Sequence, residues 1–134
     1  RGCKVSGVTR ITSSAPSART DLAFCETLMP KIHQCVVYSF GVGRGGWDLD
    51  RALAGEGCRV TSFDPTCCGG SHSIGRAHKF VPLMLAPSDG IVAGGPAMRN
   101  FTAEGLTLKS LMARLGDGQL DVLRLGGGAR LASK

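Results

Sequence analysis

This 134-residue sequence lacks several features that assign a location or function directly. No apolar run approaches the roughly 20 residues that a membrane-spanning helix requires, so we expect no membrane span. The residues after Arg1 do not lead into the apolar core of a signal peptide. Because the first residue is not Met, the sequence leaves open whether its natural start is present. The sequence therefore predicts no compartment.

Aromatic residues are few, and basic residues are scattered. One Trp, one Tyr and five Phe are too few for the stacking platform that single-strand nucleic-acid binders use. The net charge is +6, yet Lys and Arg form no run of five or six. We interpret this charge as a solvated basic surface, with no strong signal for nucleic-acid binding.

None of the six cysteines forms the CxxC pairs typical of zinc or thioredoxin-like sites, so we expect no metal site. Cys35 and Cys58 begin predicted strands, where a buried thiol packs as a small hydrophobic group. Cys67 and Cys68 lie in a Gly-rich loop and are candidates for reactivity. An even count permits disulfides but does not establish an oxidising compartment.

What the sequence does contain is typical of a folded globular protein, with 43% hydrophobic and 19% charged residues. Residues 1–19 show no periodicity, and we interpret them as a flexible leader or linker. Residues 20–134 form the predicted domain. Its first element is a helix capped by Thr20 or Asp21, with apolar residues from Leu22 to Met29, that ends near Pro30.

Strands and helices alternate along the rest of the chain. Short β-branched or apolar runs predict four strands, at 35–40, 59–63, 79–85 and 121–125. Helical spacing predicts helices at 49–54, capped by Asp48 and ended by Gly55 or Gly57, and at 107–115. We therefore predict an α/β fold with a doubly wound, mostly parallel Rossmann-like sheet. It is incomplete at the C-terminus, so a partner or missing sequence is expected to cover the sheet edge.

The segment Gly41-Val42-Gly43-Arg44-Gly45-Gly46 matches the spacing GxGxxG directly after a predicted strand. Glycine suits such a turn because the backbone passes close to a ligand and adopts positive φ. Asp64 ends the next strand, where its carboxylate is placed to accept hydrogen bonds from both hydroxyls of a ribose. Together these features predict a site for a nucleotide-like cofactor, although an ordinary Gly-rich turn and an Asp-Pro turn would look similar.

The residues after the glycines distinguish between two cofactor classes. In a dinucleotide site, the helix N-terminus faces a pyrophosphate. Here Trp47 and Asp48 place a bulky ring and an anion at that position, which disfavours a dinucleotide and leaves an NAD-type oxidoreductase as the least favoured alternative. S-adenosylmethionine, which has a sulfonium and an amino-acid tail, is better tolerated there.

Several of these segments resemble the eukaryotic methyltransferase-like family that includes methyltransferase-like protein 24. The resemblance covers roughly residues 21–125, and Tyr-Ser-Phe-Gly at 38–41 and Phe-Asp-Pro at 63–65 are its most specific parts. It implies a class I methyltransferase fold that holds S-adenosylmethionine through Gly41, Val42, Gly43 and Asp64. The methyl acceptor is unknown.

The chain departs from that family's pattern at two places. Ser39 stands where many such enzymes have an acidic residue, and Gly126-Gly127-Gly128 stands where an acidic segment follows the fourth strand. These departures favour the alternative of a non-catalytic, truncated fragment that acts as an interaction module.

No residue is predicted to be catalytic, because methyl transfer proceeds largely by positioning the nucleophile. His33, His72 and His78 are interpreted as surface or packing residues. Asp89 is a candidate for contact with an adenine but fits a loop-capping role better.

Overall fold

The computed structural model describes residues 9–12, 19–22, 35–43, 47–94 and 102–126. These residues form ten strands and two helices. The strands are β1 (Thr9–Thr12), β2 (Arg19–Leu22), β3 (Val36–Phe40), β4 (Arg59–Phe63), β5 (His72–Gly75), β6 (His78–Val81), β7 (Met84–Leu85), β8 (Gly90–Ala93), β9 (Thr102–Leu106) and β10 (Val122–Leu125). The helices are α1 (Asp48–Gly55) and α2 (Leu108–Leu115).

The central five-stranded sheet has the order β10-β3-β4-β6-β5. Its first four strands are parallel, and β5 pairs antiparallel to β6 at the edge. Strand β3 is buried along its whole length, as expected for a strand covered on both faces. The strand, turn, helix and strand unit predicted over residues 35–64 is therefore confirmed.

Two apolar clusters cover the two faces of this sheet. Helix α1 covers one face, and the buried members of this cluster are Cys35, Val37, Leu49, Leu53, Cys58 and Val60. Helix α2 belongs to the cluster on the other face, whose buried members are Val36, Tyr38, Phe40, Phe63, Leu83, Leu106 and Leu111. Alternate residues of β3 thus supply both cores, which fixes the register of the strand.

The ends of α2 have clear local sequence signals, whereas the start of α1 does not. The side-chain oxygen of Thr107 accepts a hydrogen bond from the Ser110 amide, and Gly116 ends α2 with a left-handed φ of 74°. Gly57, just beyond α1, has φ 98°. The prediction that Asp48 caps α1 is wrong: Trp47 holds the N-cap position without a side-chain cap bond, and Asp48 is the first helical residue.

The third predicted strand, at 79–85, is divided between two sheets. β6 belongs to the central sheet, whereas β7 pairs with β9 in a separate three-stranded sheet of order β7-β9-β8. Pro82 separates them because it has no backbone N–H for a ladder. The Leu83 amide instead bonds the Val81 carbonyl across it at 2.9 Å, in a tight turn.

The predicted doubly wound, Rossmann-like fold is wrong. The described residues form separate sheets with two eight-residue helices, and the connection between parallel strands β4 and β6 contains a strand where a doubly wound fold has a helix. The reason lies in residues 66–77, which are rich in Gly and Ser and have no helical apolar period. Residues His72–Gly75 of this segment instead form strand β5, which pairs with β6.

The helix predicted from Thr20 is also wrong over its first residues. Residues Arg19–Leu22 form β2, which pairs antiparallel with β1, and Thr20 lies opposite Ile11. Three of the four residues of β1 are β-branched, which favours a strand. The rest of that predicted helix lies outside the described residues. The division into 1–19 and 20–134 stays a prediction.

Candidate functional site

The predicted glycine turn follows β3 at the carboxyl edge of the parallel strands. Gly41 and Gly43 both have left-handed φ values, 71° and 61°, which glycine adopts without steric cost. Val42 between them is only 4% exposed, so its side chain anchors the turn to the core. The Gly41 amide bonds the Phe63 carbonyl at 2.9 Å, which ties the turn to β4. Gly45 and Gly46 lie outside the described residues.

Asp64 closes the turn from the end of β4. Its Oδ2 accepts the Gly43 amide at 2.8 Å. Its Oδ1 accepts the Thr66 amide at 2.8 Å and the Thr66 hydroxyl at 2.5 Å. The carboxylate is 5% exposed. The structure thus brings the predicted residues Gly41, Gly43 and Asp64 together at one edge of the sheet.

Trp47 clamps the turn from the start of α1. Its indole Nε1 donates to the Gly43 carbonyl at 2.8 Å. The ring packs against Phe80 and His78, with centroid distances of 5.5 and 5.8 Å. The bulky residue that argued against a dinucleotide therefore fixes the turn by a hydrogen bond to its backbone.

The hydrogen bonds that Asp64 already accepts decide whether its carboxylate can also accept the ribose hydroxyls of S-adenosylmethionine. An ionised carboxylate offers about four acceptor positions, and protein donors fill three of them. One position remains for a ribose hydroxyl. Thr66 is exposed, and a second ribose hydroxyl could bind only if the Thr66 hydroxyl gave up its hydrogen bond to Asp64 Oδ1. Ribose binding at this carboxylate, which is 5% exposed, would therefore require a local rearrangement at Thr66.

A buried polar cluster lies between α1 and the sheet. Asp50 Oδ2 accepts the Ser62 hydroxyl at 2.5 Å, and Ser62 Oγ lies 2.6 Å from His78 Nε2. Because the Ser62 hydroxyl donates to Asp50, its oxygen accepts the Nε2–H of His78. Arg124 Nη1 lies 3.6 Å from Asp50 Oδ1 and donates to Ser39 Oγ at 3.2 Å. Ser39 thus belongs to this cluster.

Burial shifts the pKa values of two members of the cluster. Burial raises the pKa of Asp50, against the opposing effects of hydrogen bonds from Ser62 and Ser39 and the charge of Arg124. Burial lowers the pKa of His78, an effect that Asp50 opposes and Arg51 strengthens. Asp50 and Ser62 are fully buried, and Ser62 stands between the acid and the histidine. This order differs from a nucleophilic triad, in which histidine is central.

Two disulfides occur among the described residues, and no cysteine in that part of the chain is free. Cys35 and Cys58 join the starts of β3 and β4 beneath α1. The adjacent residues Cys67 and Cys68 are bonded to each other. Their loop lies beside the glycine turn, with Cys68 Sγ 3.8 Å from the Gly43 carbonyl oxygen.

The remaining candidates lie away from this edge or serve structural roles. Asp89 accepts the Thr107 amide at 2.8 Å and the Ser110 hydroxyl at 2.5 Å, so it ties its loop to the start of α2, which agrees with the loop-capping interpretation. His72 is exposed and donates from Nδ1 to the Gly70 carbonyl at 2.7 Å. His33 lies outside the described residues.

Sequence reasoning missed two parts of the site. Thr66 forms an Asx turn with Asp64, and the signal for it was the Asp-Pro-Thr segment itself. The buried cluster had a weaker signal, namely that Ser39 and Ser62 interrupt otherwise apolar strands. Their register as direct partners across β3 and β4 becomes visible only in the structure.

Comparisons with known proteins give no relative from which to transfer a role. No family model, curated protein or solved structure matches the chain. In the described part of the chain, no three His, Cys, Asp or Glu side chains are grouped so that they could hold a metal ion. Neither described helix has the length and apolar character needed to cross a membrane.

Proposed function

We propose that this chain binds S-adenosylmethionine at the carboxyl edge of β3 and β4 and that it is a methyltransferase-like protein. The observation that carries the proposal is the hydrogen bond from the Gly43 amide to Asp64. It joins two left-handed glycines and a buried carboxylate at the ends of adjacent parallel strands, where nucleotide-type ligands bind in open sheets.

Each residue of this edge has a distinct role in the proposal. Asp64 accepts a ribose hydroxyl at its remaining acceptor position, and Thr66 rotates to admit the second hydroxyl. Gly41 and Gly43 allow the backbone to approach the ligand closely, since neither carries a Cβ. Trp47 holds the Gly43 carbonyl in place. Bound S-adenosylmethionine would supply an electrophilic methyl group on its sulfonium.

A second candidate is a non-catalytic interaction module, and one observation favours it. Gly43 and Thr66 already supply Asp64 with three hydrogen bonds, so the carboxylate also has a sufficient structural role without any ligand. In that case the edge would be rigid and would bind no cofactor. The two candidates therefore differ in a single measurable property, cofactor affinity.

Calorimetric titration of the full chain with S-adenosylhomocysteine tests the proposal. We expect saturable binding that Asp64→Asn weakens about tenfold to a hundredfold, because hydrogen bonds to a charged group contribute about 1.5–3 kcal/mol. NAD should give no heat.

Asp121→Asn is the matched control. Asp121 also accepts a backbone amide, that of Val36 at 2.8 Å, but at the amino end of β3. This variant should lose comparable stability and keep its affinity. Absence of binding by a chain shown to be folded by circular dichroism, or equal affinity in Asp64→Asn, would leave the interaction module as the better account.

A further inference from the structure

The bonded pair Cys67 and Cys68 has a backbone unlike the rest of the described chain. Cys68 has φ 74° and is the one residue other than glycine with positive φ among the described residues. A residue with a Cβ is sterically disfavoured in that region. Gly69 follows with φ 82°, so the chain makes two left-handed steps in succession. The covalent ring between the two side chains holds Cys68 in a conformation that a free cysteine rarely adopts.

Two contacts connect this pair to the proposed cofactor site. Thr66, which directly precedes Cys67, supplies two of the three hydrogen bonds that Asp64 accepts. Cys68 Sγ lies 3.8 Å from the Gly43 carbonyl oxygen, which also accepts the Trp47 indole. A disulfide sulfur has no proton, so the sulfur contact is a packing contact. A reduced Cys68 thiol would instead be a donor to the same oxygen.

We propose that Cys67 and Cys68 form a redox modification site, acted on by dithiol reductants, that controls the geometry of the glycine turn and Asp64. The control of cofactor affinity rests on the proposed function, whereas the modification itself does not. Both cysteines are half-buried residues of a loop, so a reductant is expected to reach this disulfide more readily than one in the core. The Cys35–Cys58 disulfide is 2% and 3% exposed beneath α1 and is shielded.

The chemistry is a thiol–disulfide exchange in two steps. A thiolate of the dithiol attacks one sulfur of the pair, the Cys67–Cys68 bond breaks, and the released thiolate takes up a proton. The second thiol of the reductant then attacks the mixed disulfide, so the reductant leaves as a disulfide and the second cysteine becomes a thiol. The protein gains two electrons and two protons, and the dithiol loses the same number.

Reduction removes the ring and lets Cys68 leave the left-handed region. The segment from Thr66 to Gly69 then samples other conformations, and the Thr66 amide no longer holds the Asp64 carboxylate in place for part of the time. If the binding-competent arrangement falls to about a tenth of the population, the apparent affinity for the cofactor falls about tenfold.

Limited treatment of the full chain with dithiothreitol, followed by iodoacetamide and peptide mass mapping, tests the modification. We expect Cys67 and Cys68 to be alkylated at reductant concentrations that leave the Cys35–Cys58 disulfide intact. The Gly43 amide signal in ¹H–¹⁵N spectra should move on reduction without any cofactor present. Reduction of Cys35–Cys58 first, or an unchanged Gly43 signal after the pair opens, would overturn the proposal.

Calorimetry with S-adenosylhomocysteine on oxidised and partly reduced chain then tests the control of affinity. The expected tenfold loss should be absent in Cys67→Ala/Cys68→Ala and retained in Cys35→Ala/Cys58→Ala. Equal affinity of the oxidised and reduced chains would contradict the regulatory step. If even the oxidised chain fails to bind, the proposed function fails, and the alkylation and amide measurements still decide the redox site.

Discussion

Ser62 is the side chain on which the buried cluster depends most, because it serves as donor and acceptor at once. Its hydroxyl donates to Asp50 and its oxygen accepts from His78. An alanine at this position leaves a buried carboxylate oxygen and a buried imidazole N–H without these partners. Unsatisfied groups of this kind cost about 1–3 kcal/mol each.

We therefore expect Ser62→Ala to lower the free energy of unfolding by about 2–3 kcal/mol in urea denaturation. Ser73→Ala is the matched control, since Ser73 is exposed and bonds only a nearby carbonyl. That variant should change stability by less than about 0.5 kcal/mol. Similar small effects of both variants would show that the cluster contributes little to folding.

His78 gives the stability of the folded chain a dependence on pH. Burial lowers the pKa of His78 below its usual value of 6.5. As the pH falls below 6.5, the unfolded chain therefore takes up a proton before the folded chain does, and stability falls towards the folded-state pKa. Asp50 acts oppositely: burial raises its pKa, so stability from this group falls as the pH rises from about 3.8 through the folded pKa.

The prediction is that His78→Gln loses less stability than wild type when the pH is lowered from 7.5 to 5.5. Urea denaturation at both pH values measures the slope. His72→Gln, which removes an exposed histidine, should keep the wild-type slope. If His78→Gln has the same slope as wild type, burial does not control this titration.

The residue that follows β10, Gly126, lies directly against the glycine turn. At Gly126, a Cβ would lie 2.7 Å from the Gly41 carbonyl oxygen and 2.8 Å from that of Phe40. The Gly126 amide also bonds the Phe40 carbonyl at 2.7 Å. The end of β10 and the turn therefore fit together only because residue 126 has no side chain.

Gly126→Ala should destabilise the chain by about 1–3 kcal/mol, because an added methyl group here meets backbone rather than a movable side chain. Gly118→Ala is its control, since a Cβ at 118 meets nothing within 4 Å. Thermal unfolding of the two variants measures the difference. Equal melting temperatures would contradict the close approach of β10 to the turn.

Among the helices and strands, those with strong local signals were predicted from the sequence. Strands β3, β4 and β10 and helix α2 were identified because apolar runs or helical spacing coincide with clear caps and turns. The cap of α2 by Thr107 and its end at Gly116 follow from residue type. Strands β5 and β9 were missed because polar residues and glycine make up most of each. Strand β8 was missed because its short apolar run lies in a Gly- and Pro-rich stretch.

Local sequence signals could not predict the order and pairing of the strands. Alternation of strands and helices suggested a doubly wound sheet, but residues 66–77 pair with β6 instead of forming a crossover helix. The glycine turn and Asp64 were nevertheless placed together correctly. That contact requires only that β3 and β4 are adjacent and parallel, which is the usual arrangement of two strands connected by a helix such as α1.

At the scale of the whole molecule, the carboxyl edge and the opposite amino edge of the sheet carry different chemistry. The carboxyl edge has the glycine turn, Asp64 and the Cys67–Cys68 loop. The amino edge has Asp117, which binds the hydroxyl of Tyr38 at 2.5 Å and the guanidinium of Arg59. Burial, with this hydrogen bond, raises the pKa of Tyr38, so the phenol stays protonated as a donor. Asp117 thus has structural partners at the amino edge, whereas the proposed ligand site lies at the carboxyl edge.

The measurement that tests the proposed cofactor site most directly is a ¹H–¹⁵N titration of the full chain with S-adenosylhomocysteine. The account predicts saturable shifts of the Gly43 and Thr66 amides and of the Trp47 indole N–H, while the Val36 amide at the amino edge stays unchanged. Spectra without saturable shifts, or shifts at Val36 but not at Gly43 and Thr66, would contradict a cofactor site between the glycine turn and Asp64.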